Sequence, residues 1–282
     1  MDSSPLLEVQ KLNVTFATRK APIAAVSGVS FSMGREKLGI VGESGSGKTV
    51  TGRAILGLVR PPGEVRARRL AFDGIDLTAA DRRQWRAIRG QRISMVMQDP
   101  KFSLNPVMKV GRQIAEAYRL SARVSKRRAR QQALEMLAAV RIRDPQRVFD
   151  AYPHQLSGGM GQRIMIAMML IPGPDLLIAD EPTSALDVTV QLQLLAIVDD
   201  LVSQRGMGLI FISHDLNLVA SFCDRIMIMY AGRVMEIVEA QNLQAARHPY
   251  TRGLLDCLPR INGPGGDLTV LTRDPAWLEA GS

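Results

Sequence analysis

Two segments near the start of the chain alternate loosely between apolar and polar residues. They span residues 6–16 and 24–33, and the alternation is typical of strands with one face buried. Residues 69–77 repeat the pattern around Asp73 and Gly74, a pair that favours a tight hairpin turn. Together these segments predict an antiparallel sheet.

Short, nearly continuous apolar runs lie further along the chain and predict buried strands. These runs span residues 37–41, 176–181, 208–213 and 225–230. Segments that can carry helices follow most of them, at residues 50–59, 188–202 and 216–223. Gly52 and Gly57 weaken the first of these helices, because glycine lowers helix preference. Strands that alternate with helices predict an α/β fold.

From residue 101 to about 153 the spacing of apolar residues is helical. Residues 110–120 and 126–140 carry the pattern, and Pro106, Pro145 and Pro153 punctuate it. A short helical segment is expected after Gln241, and residues 261–282, rich in glycine and proline, are expected to be loosely attached. A methionine stripe is expected to pack in a helix core, at Met160, Met165, Met168 and Met169.

The strongest chemical signal is the octapeptide GESGSGKT, which fits the phosphate-loop pattern G-x-x-x-x-G-K-[ST] at every fixed position. Its residues are Gly42, Glu43, Ser44, Gly45, Ser46, Gly47, Lys48 and Thr49. The glycines let backbone N–H groups turn toward an anion, and the following helix adds its positive end. Lys48 is expected to reach the β- and γ-phosphates of a nucleotide, and the Thr49 hydroxyl to ligate Mg²⁺.

Two carboxylates end the apolar run LLIADE. Asp180 at the strand end can hold Mg²⁺ through water, and Glu181 can point at an attacking water. An ordinary strand followed by an acidic turn has the same appearance, so this segment alone leaves both interpretations open.

Composition limits the class of protein. The chain has 282 residues, 46% of them hydrophobic, which suits one large domain and excludes a disordered chain. No run approaches the ~18 apolar residues that span a bilayer. The first residues do not resemble a secretory signal, so a cytosolic protein is expected. Cys223 and Cys257 lie far apart without metal-ligand spacing and are expected to be reduced thiols.

The formal charge of +9 raises the question of an anionic partner. Basic residues are dispersed, with one concentration at residues 123–130, where a solvated helix face is favoured over a nucleic-acid patch. His154 and His248 are expected to pack or to cap helices rather than to act as ligands.

A further motif, LSGGMGQR at residues 156–163, lies between the phosphate loop and the two carboxylates and favours the functional interpretation of both. With it, the chain resembles the ATP-binding subunits of ABC transporters. The other elements follow in the family's order: Gln98 in MVMQDP, SALD at residues 184–187 and His214 in FISHD. The resemblance covers nearly the whole chain.

The resemblance also reaches a subfamily. Residues 98–116, 152–160, 180–191 and 248–260 look like the importers of oligopeptides, dipeptides and nickel. Peptide is the favoured cargo and nickel the alternative. Both stay open, because cargo is contacted by the binding protein and the permeases and need not touch this chain.

The resemblance implies a P-loop NTPase (RecA-like) core of the ABC ATPase type, with an antiparallel β subdomain and an inserted α-helical lobe. The domain would span residues 6–260, the lobe about residues 101–165, and a C-terminal tail residues 261–282.

The resemblance also implies roles for single residues. Glu181 would be the general base, and His214 would lie by the γ-phosphate. Gln98 would touch the metal, and Asp187 would lie at a dimer interface. Phe16 would stack on adenine, although packing as an ordinary strand residue is nearly as good an interpretation.

The LSGG segment would bind the γ-phosphate held by an opposite subunit, through Ser157, Gly158 and Gly159. Gly161 departs from the family, since many members have a basic residue there. It follows Ser157 by about one helical turn, so both residues are expected to face the same interface.

As a whole the resemblance implies an ATP hydrolase that uses ATP and Mg²⁺ to drive import. It would work as a heterodimer with a related ATPase, with two permease subunits and an extracytoplasmic binding protein, on the cytoplasmic face of a bacterial inner membrane. No nucleic-acid partner is expected. A soluble ABC ATPase that acts on nucleic acid or ribosomes is the alternative from another class. A P-loop kinase or GTPase would not need LSGG.

Overall fold

A computed structural model of the chain describes residues 4–97, 103–184, 186–257 and 277. Over these residues the strands are β1 (Leu7–Phe16), β2 (Ile23–Met33), β3 (Lys37–Val41), β4 (Gly63–Arg66), β5 (Arg69–Phe72), β6 (Ile75–Asp76), β7 (Ile93–Val96), β8 (Leu176–Asp180), β9 (Gly208–Ser213), β10 (Arg225–Tyr230) and β11 (Arg233–Glu239). The α-helices are α1 (Lys48–Ile55), α2 (Arg82–Ile88), α3 (Val110–Ala122), α4 (Lys126–Ala139), α5 (Pro145–Phe149), α6 (Gly158–Leu170), α7 (Val188–Arg205), α8 (Leu216–Phe222) and α9 (Pro249–Asp256).

The chain divides into two compact units. The first comprises Met1–Ala79 and Phe211–Ser282, and the second comprises Ala80–Ile210, so that the division falls within β9. Each unit has its own packed elements.

An antiparallel sheet opens the first unit. Its strand order is β2-β1-β5-β6, and β4 also pairs with β1. Leu7, Leu12 and Val14 of β1 are fully buried. The register shifts between Val9 and Leu12, where Lys11 has φ +48°, and this irregularity interrupts the strict alternation of the strand's side chains. The prediction of antiparallel strands and of a hairpin turn at Asp73 and Gly74 is confirmed.

The same unit contains the strands that carry the phosphate loop. β3 runs parallel to β10, with Leu38 opposite Arg225, and β10 pairs antiparallel with β11. The helix expected at residues 50–59 begins at Lys48 and ends at Ile55, so its predicted end was wrong. The backbone of Gly57 has φ +59°, a left-handed conformation that stops a helix.

The second unit pairs β7 with β8 in parallel, and α6 packs against β7. The helices predicted at residues 110–120 and 126–140 are confirmed as α3 and α4, which pack on each other. Ser125 caps α4 by accepting a hydrogen bond from the Arg128 N–H. The basic residues at the start of α4 are exposed, as predicted for a solvated face.

The predicted methionine core is only partly correct. Met165 is fully buried in α6, whereas Met160, Met168 and Met169 are half-buried. Met168 and Met169 line a surface cleft of about 650 Å³, which explains their exposure. No described helix has the length and apolar character that a bilayer span requires.

The C-terminal part of the first unit ends in an aromatic cluster. The ring of Trp277 lies 5.7 Å from that of Tyr230 and 5.4 Å from that of Tyr250, between centroids. Trp277 is buried, so the expectation of a loosely attached tail is wrong at this residue. His248 caps α9 by accepting a hydrogen bond from the Tyr250 N–H, and His154 stacks on Tyr152, which confirms their packing and capping roles.

Candidate functional site

The predicted site residues belong to both units. Phe16, the phosphate loop and His214 lie in the first, and the LSGG segment, Asp180, Glu181 and Asp187 lie in the second. Gln98 lies outside the described residues.

The phosphate loop is a tight turn between β3 and α1. The Ser46 N–H donates to the Glu43 carbonyl at 3.1 Å, which closes the turn. Gly47 is the N-cap of α1, with φ +95°. A Cβ at this position would lie 2.6 Å from the Ala25 carbonyl oxygen, so both the backbone conformation and the space require glycine.

Lys48 begins α1 and folds back over the loop. Its Nζ atom donates to the carbonyl oxygens of Gly42 at 2.7 Å and Glu43 at 2.8 Å, and to the Ser46 hydroxyl at 3.4 Å. The side chain is 7% exposed. The loop therefore holds a positive charge beside the N-terminus of α1, where an anion is stabilised.

A second turn supports the loop from the β10–β11 hairpin. The Gly232 N–H donates to the Ser46 carbonyl at 3.1 Å, and the Ser27 N–H donates to the Gly232 carbonyl at 2.8 Å. Sequence reasoning missed this support. The pair Ala231-Gly232 marks a turn between strands, but the sequence does not show what the turn contacts.

Two other predicted residues of the first unit lie at strand ends. His214 is exposed and follows the buried strand β9. The next residue, Asp215, caps α8 by accepting a hydrogen bond from the Leu218 N–H at 3.0 Å. Phe16 ends β1, where it is half-buried and pairs with Ile23 and Gly63.

In the second unit, the strand β8 delivers the two carboxylates. Asp180 is the last strand residue and is 4% exposed. Glu181 has φ +50°, an unusual conformation for a residue with a side chain, and the chain turns there. The Ser184 N–H and hydroxyl both donate to the Glu181 carbonyl, at 3.4 and 3.2 Å, and close this turn.

The LSGG segment forms the start of α6. Ser157 is the exposed N-cap, and its hydroxyl accepts a hydrogen bond from the Met160 N–H at 3.4 Å. A hydroxyl has one donor and two acceptor positions, so Ser157 can cap the helix and still donate to an anion. Gly158 is also exposed, and Gly159 is half-exposed beside Val190.

Gly161 differs from its expected placement. It is buried on α6, whereas Ser157 is exposed, so the two do not face one interface.

The residues after Gly161 anchor α6. Gln162 is 3% exposed, and its side-chain amide donates to the Pro182 carbonyl. Arg163 donates to the Arg141 carbonyl at 3.2 Å and to the Gln193 side chain at 2.7 Å. Sequence reasoning missed the contact of Gln162. Its helical neighbours Met165 and Ile166 are apolar and buried, a spacing that indicates an inward position for Gln162.

A basic cleft of about 760 Å³ opens beside the start of α6. Its walls include Ser157 and Gly159 together with Arg141, Arg143, Arg147 and Arg163. Asp150 also lines it, and a hydrogen bond from Lys109, helped by the charges of Lys109 and Arg130, holds the pKa of Asp150 below its ordinary value. The net positive lining suits an anionic group.

Asp187 is the exposed N-cap of α7. Its carboxylate accepts a hydrogen bond from the Val190 N–H at 3.0 Å. The acidic residue therefore lies at the N-terminal, positive end of the long helix α7.

Known proteins resemble this chain in sequence and in fold. A family model described as "ABC transporter" matches residues 26–184. The "Probable peptide ABC transporter ATP-binding protein y4tR" of Sinorhizobium fredii is 48% identical over 266 residues, which cover 92% of this chain and 79% of that protein. The "Dipeptide transport ATP-binding protein DppD" of Escherichia coli is 48% identical over 258 residues, with 91% and 79% covered.

A solved structure shares the fold. It is described as "Dimeric structure of a post-hydrolysis state of the ATP-binding cassette MJ0796 bound to ADP and Pi", and it matches with a TM-score of 0.74 at 26% identity. The match covers 83% of this chain and 98% of that chain. The α/β fold class predicted from the sequence, a P-loop NTPase of the ABC type, is thereby confirmed.

Proposed function

Because this chain belongs to the ABC transporter family, we propose that it is the ATP-hydrolysing subunit of a bacterial importer of peptides. The observation that carries the proposal is the exposed, serine-capped start of α6 at LSGG. A P-loop kinase or GTPase has no use for such a helix start, whereas a paired ATPase offers it to the nucleotide of its partner.

ATP would bind with its phosphates on the loop Gly42–Thr49. Lys48 supplies positive charge to the β- and γ-phosphates, and the start of α1 adds its dipole. Adenine would stack on Phe16. The predicted metal ligands are oxygen donors, which suit Mg²⁺: the Thr49 hydroxyl, the Asp180 carboxylate and the side-chain oxygen of Gln98. When bound, Mg²⁺ offsets negative charge on the phosphates.

Hydrolysis would depend mainly on placement of groups. Glu181 accepts a proton from the water that attacks the γ-phosphorus, and His214 lies by the γ-phosphate. Ser157, Gly158 and Gly159 donate to the γ-phosphate held by an opposite subunit, and Asp187 lies at the interface. Because the groups around one γ-phosphate come from two subunits, the subunits would have to close before hydrolysis.

The family resemblance supports the following assembly. The chain would pair with a related ATPase, contact two permease subunits and serve an extracytoplasmic binding protein at the cytoplasmic face of a bacterial inner membrane. One domain would span residues 6–260, with a helical lobe at about residues 101–165 and a tail at residues 261–282. Two similar proteins are named for peptide transport, which favours peptide over nickel as cargo.

The experiment is uptake of a radiolabelled dipeptide by cells that lack this chain. Wild-type chain should restore uptake, and the Lys48→Ala variant should not. Uptake of labelled nickel is measured beside it. Restored nickel uptake without dipeptide uptake would reassign the cargo. Co-purification with ribosomes or DNA, and not with permeases, would instead support a soluble ABC ATPase.

A further inference from the structure

Gln162 is a buried polar side chain on a helix that otherwise packs apolar residues inward. It lies in the second turn of α6 and is 3% exposed. Its amide donates to the carbonyl of Pro182, which is twenty residues away in sequence and also buried. A buried amide without a partner is costly, so this contact fixes the side chain in one orientation.

The accepting carbonyl belongs to the turn that carries Glu181. Pro182 follows Glu181 directly and has no N–H, so its carbonyl is the only main-chain hydrogen-bonding group it has. Ser184 closes the turn from the far side through its two hydrogen bonds to the Glu181 carbonyl. Gln162 therefore holds the turn from the α6 side while Glu181 keeps its unusual φ of +50°.

The helix that carries Gln162 also carries the LSGG start. Ser157 and Gln162 are separated by five residues, about 7.5 Å along the axis of an α-helix. Arg163 ties the same turn of α6 to Gln193 on α7. A short, hydrogen-bonded helix moves as a body, so a displacement at Ser157 reaches Gln162.

We propose that Gln162 is a positioning residue that sets the orientation of Glu181 through the Pro182 carbonyl. It links the LSGG helix of a subunit to the catalytic turn of the same subunit. The inference rests on the role proposed above for Glu181. Gln162 is buried and would act on Glu181 only through the turn that it holds.

The test uses the purified transporter complex with Gln162→Met, which keeps the length of the side chain and removes the amide. We expect kcat for ATP hydrolysis to fall about 10- to 100-fold, because a small misplacement of a catalytic group is costly. KM for ATP should stay within about twofold, since the phosphate loop is unchanged. A rise in KM with unchanged kcat would contradict the proposal.

A double-mutant cycle asks whether Gln162 acts through Glu181. Residual hydrolysis is measured by single turnover in Glu181→Gln and in the double variant. Once Glu181 is gone, Gln162→Met should lower the rate further by less than about twofold, because residues that act as a unit are not additive. Equal fold-losses in both backgrounds would overturn the inference. Normal hydrolysis by Glu181→Gln alone would instead overturn the base assignment.

Gln193→Met is the matched control. It removes a different side-chain contact of this turn of α6, the one with Arg163, and leaves the Pro182 carbonyl untouched. Its kcat should stay close to that of the wild type. A fall in kcat equal to that of Gln162→Met would show that any loosening of α6 slows hydrolysis, and would contradict a specific role for the Pro182 contact. If Gln162→Met does not fold, Gln162→Asn shortens the reach of the same amide and is measured in the same way, with the same expected kcat loss.

Discussion

The Nζ atom of Lys48 lies 2.7 Å from the carbonyl oxygen of Gly42, the first residue of its own loop. A second carbonyl, that of Glu43, lies 2.8 Å away. The main chain of the loop thus fixes the position of the cation, and the side chain is nearly buried. The charge is held where the phosphates of ATP are expected.

Lys48→Ala should weaken ATP binding by about 10- to 100-fold, because hydrogen bonds to a charged group contribute about 1.5–3 kcal/mol each. Titration calorimetry of the purified protein measures the change in Kd. Lys126→Ala removes an exposed lysine at the start of α4 and should leave the Kd unchanged. Wild-type affinity in folded Lys48→Ala protein would contradict the phosphate-binding role.

Ser157→Arg should block closure of the paired ATPases. The new cation would fill the space beside the exposed start of α6, where the γ-phosphate of the partner's ATP is expected. ATP should still bind the variant's own phosphate loop. Analytical ultracentrifugation with ATP should show loss of the dimer.

Ser125→Arg is the matched control for Ser157→Arg. Ser125 is also an exposed serine N-cap, on α4, so each substitution removes one cap worth about 1 kcal/mol. Only the change at Ser157 should prevent dimer formation. If both variants close as readily as the wild type, LSGG is not a ligand for the opposite nucleotide.

Cys223 should be protected from alkylation in the folded protein. Burial raises the pKa of its thiol from 9.0 to about 12, against a smaller opposing effect of Lys37. The thiolate is the reactive form, so the pKa shift alone slows the reaction about a thousandfold near neutral pH. Because the folded-state pKa is the higher one, the neutral thiol contributes stability below pH 9 and loses it as pH rises toward 12.

Iodoacetamide labelling of the Cys257→Ala variant isolates Cys223, and mass spectrometry follows the rate. Labelling should be slow at pH 8 and should become fast in urea. In urea titrations at rising pH, the wild type should lose more free energy of unfolding between pH 9 and 12 than Cys223→Ala does. If the native protein is labelled as fast as the unfolded protein, the Cys223 thiol is accessible and its pKa is not raised, which contradicts this prediction.

Local patterns in the sequence were enough to predict much of the fold. The strand, glycine loop and helix around Lys48 depend on contacts within a few residues. Their conformation can therefore be predicted from the local sequence alone. The same holds for the hairpin at Asp73 and Gly74. The end of α1 was wrong because the left-handed backbone of Gly57 stops the helix early.

Contacts between distant residues could not be predicted. Gln162 and Pro182 are twenty residues apart, and nothing in either segment shows that one donates to the other. The burial of Gly161 depends on which side of α6 packs against the rest of its unit. The contacts of Trp277 with Tyr230 and Tyr250 join residues that are more than 25 positions apart in the sequence. These features arise from packing, which short motifs do not encode.

Hydrolysis by the Glu181→Gln variant tests the central claim most directly. The amide has nearly the shape of the carboxylate and cannot accept the proton of the attacking water. In the assembled complex, kcat should fall by about 10²-fold or more while ATP still binds and the ATP-bound dimer accumulates. Glu135→Gln, an exposed change on α4, should hydrolyse ATP at the wild-type rate. Turnover by Glu181→Gln close to that of the wild type would contradict the account.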